Sequence, residues 1–357
     1  VALNSPLMQL CVYFNMAFIL IVGSKLIITS AGSSLGVGEM SSMLTYGFQI
    51  LMQLMMLAMI YVMLTMSGES MVRISEVLGE ESALTNPAAK AVTLPDGTTV
   101  SYPLTEIRDG SIDFDDVSFK YSKTAKKNSL SDINLHIKSG MTVGILGVTG
   151  SGKSTLVQLI PRLYDVAEGS VKVGGEDVRN YDLVSLRDSV AFVLQKNLLF
   201  SGTIKENLRW GNENATDEEM IEACKLAQAD EFIRSFPDGY DTKIEQGGSN
   251  VSGGQKQRLC IARALLKKPK ILVLDDSTSA VDMKTDALIR AGMKNFIPET
   301  TKIIIAQRIA SVMEADLIVV MENGRIAESG THKELMASSE AYRETYIQQM
   351  SGGEDDE

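Results

Sequence analysis

The stretch Met141-Thr-Val-Gly-Ile-Leu-Gly147-Val-Thr-Gly150-Ser-Gly152-Lys153-Ser154-Thr155 decides the fold of this chain. It begins as a short apolar run with β-branched residues and contains the pattern G-x-x-x-x-G-K-S. It then continues into an apolar-periodic segment, Leu156 to Leu163, which predicts a helix. A strand, a glycine-rich turn and a helix in this order are typical of a phosphate-binding loop. A chance match to the pattern is the alternative, and the complete context disfavours it.

The residue types of this loop suit phosphate oxygens. Glycines let successive backbone N–H groups turn inward, and the start of the helix adds its positive dipole end. Lys153 supplies a positive charge to the terminal phosphates, and the Ser154 hydroxyl can hold Mg²⁺. We therefore expect the chain to bind a nucleoside triphosphate. The predicted contacts in the loop are Gly147, Thr149, Gly150, Ser151, Gly152, Lys153, Ser154 and Thr155.

Charge is distributed unevenly along the 357 residues. Before Leu78 the charged residues are Lys25, Glu39, Glu69, Arg73 and Glu76, whereas the rest of the chain is rich in charge. Two apolar segments in this first part, at about 7–29 and 43–66, are each long enough to cross roughly 30 Å of hydrocarbon as a helix. Buried helices of a soluble protein are disfavoured by length and low charge, and a signal peptide lacks its basic flank and cleavage pattern. We predict two membrane-spanning helices in a transmembrane region, 1–82.

Composition limits the partners of the remaining chain. The net charge of −11 without a basic stripe argues against nucleic acid as the main partner. Three cysteines, Cys11, Cys224 and Cys260, are far apart, so neither disulfides nor a zinc site is expected. These features favour a soluble part in a reducing cytoplasm. Residues 351–357 are predicted to be a solvated acidic tail.

Turn residues between 83 and 108 predict a linker, and the soluble domain is expected to span 109–350. Within it, apolar runs alternate with helical patterns, which indicates a mostly parallel sheet. The capping box that begins at Thr216 predicts a helix over Asp217 to Phe236. Asn323-Gly324 is interpreted as a hairpin turn without a functional role.

Further motifs follow the phosphate-binding loop in a fixed order. They are Tyr121 before the loop and, after it, Gln195, Phe200-Ser-Gly-Thr-Ile-Lys-Glu-Asn207, Val251-Ser-Gly-Gly-Gln255, Leu274-Asp275-Asp276, Ser279-Ala-Val-Asp282 and Gln307. With the helix pair at the start, this set resembles an ATP-binding cassette (ABC) exporter of the multidrug type, and the resemblance covers the whole chain.

The resemblance implies an α/β P-loop nucleotide-binding domain, with a mostly parallel sheet and antiparallel β and helical subdomains, preceded by two transmembrane α-helices. The two helices would be the last two of six, and the start at Val1, soon before a membrane helix, indicates a fragment of a longer polypeptide. The protein would be multi-pass in the cell membrane, with this domain in the cytoplasm and with ATP and Mg²⁺ as its cofactors.

Residue roles are also implied by the resemblance. Tyr121 would stack on adenine, and Ser154, Gln195 and Asp275 would hold Mg²⁺. The signature stretch, Val251 to Gln255, would present Ser252, Gly253, Gly254 and Gln255 to the γ-phosphate bound on an opposing subunit. Two chains would therefore close around each nucleotide.

Two departures from the family pattern fall in one nucleotide site. Asp276 stands where the family usually has a catalytic glutamate. Its carboxylate would lie roughly 1 to 1.5 Å further back, and a misplacement of about 1 Å can cost on the order of a hundredfold in rate. Gln307 stands where a histidine usually reaches the γ-phosphate, and an amide cannot carry positive charge. The signature stretch has only a mild change, at Val251. These residues predict a degenerate site in this subunit, which completes an active site on a second half-transporter in a heterodimer.

Three alternatives remain open. A homodimeric exporter could use Asp276 as a slow general base. An ATP-gated regulatory subunit could act through binding alone. A soluble ABC ATPase acting on DNA would share the cassette, but not the apolar helices or the acidic balance. The transported substrate cannot be read from these residues, because exporters of this type handle drugs, lipids and peptides.

Overall fold

The computed structural model describes residues 4–30, 33–93, 99–122, 124–275 and 281–351. The chain divides into two compact units, Val1–Ala83 and Leu84–Glu357. The first unit contains the helices α1 (Asn4–Thr29) and α2 (Val37–Leu78). Both are long and apolar enough to span a membrane.

Helix α2 is 42 residues long and extends at both ends beyond the membrane-spanning segment predicted at about 43–66. At its start, the Glu39 carboxylate accepts a hydrogen bond of 2.8 Å from the backbone N–H of Gly36 and caps the first turn. At its end, no glycine or proline interrupts the charged continuation between Glu69 and Leu78. The helix ends at Gly79, whose N–H donates to the Ser75 carbonyl.

The second unit contains all the strands. They are β1 (Lys90–Thr93), β2 (Thr99–Tyr102), β3 (Ile112–Phe119), β4 (Leu130–Ile137), β5 (Thr142–Leu146), β6 (Glu168–Val173), β7 (Glu176–Asp177), β8 (Val190–Val193), β9 (Gly202–Thr203), β10 (Lys243–Ile244), β11 (Ile271–Asp275), β12 (Thr301–Ile305), β13 (Leu317–Glu322) and β14 (Arg325–Gly330). Its helices are α3 (Lys153–Gln158), α4 (Leu183–Ser189), α5 (Ile204–Arg209), α6 (Asp217–Leu226), α7 (Asp230–Ser235), α8 (Gly253–Leu266), α9 (Met283–Phe296), α10 (His332–Ser338) and α11 (Glu340–Ser351).

A six-stranded sheet with the order β14-β13-β5-β12-β11-β8 lies at the centre. Every neighbouring pair is parallel except β13 with β14, which confirms the predicted mostly parallel sheet. A four-stranded antiparallel sheet, β4-β3-β6-β7, supplies the antiparallel subdomain. The remaining strands pair as β1 with β2 and β9 with β10.

Both faces of the central sheet are buried. Along β11, Leu272 and Leu274 belong to one hydrophobic cluster, whereas Ile271 and Val273 belong to the other. Alternate side chains therefore enter separate cores, as expected for a parallel sheet with elements packed on both sides. With both faces covered, the carboxyl ends of the strands are the place where such a sheet presents a site.

Segment 83–108, predicted to consist of turns, also contains regular structure. Its strands β1 and β2 form an antiparallel hairpin in which Lys90 faces Tyr102 across the register. The predicted Pro95-Asp96-Gly97 turn falls between these strands, although residues 94–98 lie outside the described ranges.

Two predicted helices are shorter in the structure than in the sequence interpretation. The helix after the phosphate-binding loop ends at Gln158 rather than near Leu163, because Pro161 cannot continue the backbone ladder and Arg162 has a positive φ of 51°. The segment 217–236 forms α6 and α7 with a break between them, where Gln228 has a φ of 54°. The Arg258 guanidinium donates to the Gln228 carbonyl at 2.8 Å and satisfies the broken ladder.

Candidate nucleotide-binding site

The phosphate-binding loop connects β5, inside the central sheet, to α3. Gly147 has a φ of 151°, and a Cβ at this position would collide with the Met321 carbonyl oxygen. Gly152 has a φ of 100°, and its ideal Cβ would lie 2.8 Å from the Leu130 side chain. Both positions therefore require glycine, and the predicted strand, loop and helix are present.

The Lys153 ammonium group lies across the loop. Its Nζ donates to the Gly147 carbonyl at 2.7 Å and to the Val148 carbonyl at 2.8 Å. The positive charge is thus held over the backbone that the sequence assigns to phosphate binding, where an anionic ligand would meet it.

Two predicted metal ligands contact each other directly. The Ser154 hydroxyl donates to Asp275 Oδ2 at 3.0 Å, although the two residues are 121 positions apart in the chain. Asp275 is the last residue of β11, and β12 separates that strand from β5. A hydroxyl beside one carboxylate fits Mg²⁺, which binds through one or two protein oxygens and completes its shell with phosphate oxygens and water. Within the described ranges, no cluster of three or more His, Cys, Asp or Glu residues offers a different metal site.

Tyr121 presents an aromatic ring beside the loop. Its side chain is 54% exposed, and its hydroxyl lies 3.0 Å from the Thr155 hydroxyl. The rings of Phe119 and Tyr164 meet it edge-on, with centroids 4.9 Å and 5.1 Å away. These contacts fix the ring from behind and leave a large part of it open to a ligand.

A cavity of about 520 Å³ unites most of the predicted residues. Of these, its lining contains Tyr121, Thr149, Gly150, Gly152, Lys153, Ser154, Thr155, Gln195, Asp275 and Gln307. Two predicted loop residues, Gly147 and Ser151, do not line it. The Ser151 side chain is 2% exposed and points beneath the loop, where its Oγ would lie 2.6 Å from a Cβ on residue 147.

Sequence reasoning missed part of the lining, namely Lys127, Asn128, Ser129, Ile305, Asn323 and Gly324. The turn at Asn323-Gly324 joins β13 to β14 as predicted, and it also borders this cavity, which the sequence interpretation did not expect. The Gly324 N–H donates to the Ser151 carbonyl at 3.1 Å, which ties the turn to the loop.

The signature stretch lies elsewhere. Ser252 caps α8 in a reciprocal box: its hydroxyl accepts from the Gln255 N–H at 3.2 Å, and its own N–H donates to the Gln255 side chain at 2.9 Å. None of Ser252, Gly253, Gly254 and Gln255 lines the cavity. Their exposed helix start is therefore available to a ligand that this chain's own loop does not hold.

Of the two departures from the family pattern, Asp276 and Gln307, the structure describes Gln307. Asp276 and Ser279 lie outside the described residues. Gln307 follows β12, is exposed and lines the cavity. Asp282 caps α9 by accepting a 2.9 Å hydrogen bond from the Thr285 N–H, and this bond lowers the pKa of the Asp282 carboxyl.

Comparison with known proteins agrees with this geometry. The sequence pattern of the ABC transporter family matches residues 130–279, which include the loop, α8 and β11. The chain carries the nucleotide-binding domain of an ABC transporter. The chain is 46% identical over 241 residues to a putative multidrug export ATP-binding/permease protein of Staphylococcus aureus, a match covering 68% of this chain and 42% of that protein. It is 48% identical over 237 residues to the YgaD protein of Bacillus subtilis, which has the same description, with coverages of 66% and 41%.

A solved structure extends the likeness beyond the ABC domain. A bacterial Atm1-family ABC exporter, determined with ATP bound, superposes with a TM-score of 0.75 at 31% identity. That match covers 98% of this chain and 58% of the exporter. The chain thus spans about two fifths of the length of its curated relatives and somewhat more than half of the structural one.

Proposed function

We propose that this chain is the ATP-binding part of an ABC exporter subunit that couples ATP binding and hydrolysis to export of a substrate across a membrane. One observation carries the proposal: the Ser154 hydroxyl and the Asp275 carboxylate are 3.0 Å apart, beside Lys153, in a cavity that also contains an exposed aromatic ring. Phosphate, metal and base recognition therefore converge on one nucleotide-sized space. The apolar helices α1 and α2 support a position in the membrane.

Each group of residues has a separate task in the proposed site. Lys153 and the loop N–H groups neutralise and orient the phosphates. Ser154 and Asp275, with Gln195 beside them, would hold Mg²⁺, which neutralises charge on the transferring phosphate when it is bound. Tyr121 would hold the adenine by stacking.

We further propose that this site binds ATP and hydrolyses it slowly, because of Asp276 and Gln307. An aspartate shortens the reach of the base, and the Gln307 amide offers hydrogen bonds without positive charge. The signature stretch of this chain, which does not line its own cavity, would complete a site on a second half-transporter. Hydrolysis would then occur mainly at the partner's site.

A homodimer in which Asp276 serves as the base is the second candidate. The exposed, capped start of α8 favours it as much as it favours a heterodimer, since either arrangement needs a signature stretch facing another chain. The two differ in whether a second kind of subunit accompanies this one. An ATP-gated regulatory subunit differs from both in lacking turnover stimulated by transported substrate.

Removing the Tyr121 ring tests base recognition. We expect Tyr121→Ala to raise the Kd for ATP by about five- to a hundredfold, because stacking of a base on an aromatic ring contributes about 1–3 kcal/mol. Tyr121→Phe keeps the ring and loses only the hydroxyl contacts with Thr155 and Gln158, so it should bind ATP nearly as well as the wild type. Equilibrium titration of the purified full-length protein measures both values. Equal affinities for the Ala and Phe variants would exclude adenine stacking at this ring.

A further inference from the structure

The backbone that carries Gln307 is held by a side chain from the end of the domain. The Gln349 amide nitrogen donates to the Gln307 carbonyl at 3.0 Å, and the Gln349 amide oxygen accepts from the Ile309 N–H at 2.8 Å. Only this orientation of the amide matches a donor to the carbonyl and an acceptor to the N–H. Gln349 therefore fixes two peptide groups, one on each side of Arg308.

Helix α11, which carries Gln349, is anchored to the rest of the domain through Tyr342. Tyr342, two helical turns earlier and on the same face, is 4% exposed, and its hydroxyl lies 2.8 Å from His332 Nδ1 in α10. The Tyr342 N–H donates to the Ser339 hydroxyl at 3.0 Å, and the partly buried Tyr346 packs against the core. These contacts anchor the helix that carries Gln349.

Gln307 is exposed, whereas Ala306 and Ile309, which flank the Gln307-Arg308 pair, are buried in the core. Gln307 lines the nucleotide cavity and also a second cavity of about 530 Å³, which Gln349 lines as well. The two Gln349 hydrogen bonds therefore act on an exposed stretch between two buried residues. The far end of the segment is held by Arg290, which donates to the Ala310 and Ser311 carbonyls at 3.3 Å and 3.1 Å.

We propose that Gln349 is a positioning residue: through α11 it sets the backbone of Gln307, and thereby the ability of this site to distinguish ATP from ADP. The proposal rests on the proposed function, in which Gln307 meets the γ-phosphate. Gln349 touches no nucleotide, since it does not line the nucleotide cavity. Its effect must therefore appear only where a γ-phosphate is present.

The test compares the Kd values of ADP and of the non-hydrolysable analogue AMP-PNP, both with Mg²⁺, on the full-length protein. Gln349→Ala removes two hydrogen bonds, and we expect the preference for AMP-PNP over ADP to fall about three- to tenfold while the Kd for ADP stays unchanged. Gln348→Ala is the matched control, because Gln348 is exposed on the same helix and its side chain makes no hydrogen bond to other described residues. It should keep the wild-type preference.

A double-mutant cycle separates positioning from a general structural effect. If Gln349 acts through Gln307, then adding Gln349→Ala to Gln307→Ala produces no further loss of preference. A full additional loss, an unchanged preference in Gln349→Ala, or an equal loss of ADP and AMP-PNP binding would each overturn the proposal. Wild-type protein that binds neither nucleotide would refute the proposed function itself. If the wild-type protein binds both nucleotides equally, the roles of Gln307 and Gln349 are refuted, but the proposed function is not.

Discussion

Lys153→Ala is expected to raise the Kd of this chain for ATP by about a hundredfold, because hydrogen bonds to charged groups are worth about 1.5–3 kcal/mol and one ammonium serves more than one phosphate oxygen. In the structure, the Lys153 Nζ already lies over the loop, held by the carbonyls of Gly147 and Val148. The ammonium therefore needs little reorganisation to meet phosphate. Titration of Mg²⁺-ATP into the full-length protein measures the change.

Lys333→Ala is the control for this effect. Lys333 is exposed on α10 and does not line the nucleotide cavity, so its removal changes the net charge equally without touching the loop. We expect wild-type affinity for this variant. If the two lysine variants bind ATP equally, the loop is not the phosphate site and the proposed function fails.

Ser252→Ala is expected to lower the ATPase rate of the purified complex about a hundredfold, because the loss of one hydrogen-bond donor aimed at developing charge lowers kcat by about 10²–10³. The same variant should leave ATP binding at this chain's own cavity unchanged, because the signature stretch does not line it. Binding and turnover are thus expected to separate. Steady-state ATPase assays and equilibrium titration on the same preparation measure the two quantities.

The helix-capping role of Ser252 requires its own control. Replacing a capping serine costs about 1 kcal/mol of stability in any helix, which could lower activity indirectly. Thr216 occupies the same position in the capping box of α6, where its hydroxyl accepts from the Glu219 N–H at 3.2 Å. Thr216→Ala should lose similar stability and keep the ATPase rate. Equal ATPase rates for the Ser252→Ala and Thr216→Ala variants would show that the signature stretch has no catalytic role.

The central part of the site could be predicted because its residues belong to short, continuous sequence motifs. The glycines, Lys153 and Ser154 are consecutive, and Asp275 ends an apolar run that reads as a buried strand. Since the carboxyl ends of parallel strands meet at one edge, the 3.0 Å contact between Ser154 and Asp275 follows from the fold class.

Other parts depend on contacts between distant residues and leave no local pattern. Asn323-Gly324 borders the cavity, and its backbone bonds to the distant residues Ser151 and Ser131. The break at Gln228 between α6 and α7 has neither glycine nor proline, and its carbonyl is satisfied by Arg258 from α8. Gln349 reaches Gln307 across 42 positions, and a surface glutamine on a polar helix gives no sign of that contact.

The two ends of α2 differ in how far the sequence predicts them. The composition change after Met66 indicates where the membrane-spanning part ends, and the helical pattern that continues with charged residues from Glu69 to Glu80 predicts that the helix extends further. Charged residues such as Glu69 and Arg73 are good helix formers in water, so the helix continues to Leu78. Apolar length predicts the span of a membrane helix but not the length of the helix itself.

The composition of the native complex tests the central claim that this chain supplies a degenerate nucleotide site and completes an active one on another subunit. The full-length protein would be tagged, purified from its own membrane in mild detergent, and its companions identified and quantified by mass spectrometry. We expect an equal amount of a second half-transporter with Glu and His at the positions aligned with Asp276 and Gln307. Recovery of this protein only with itself would contradict the heterodimer, because hydrolysis would then depend on Asp276.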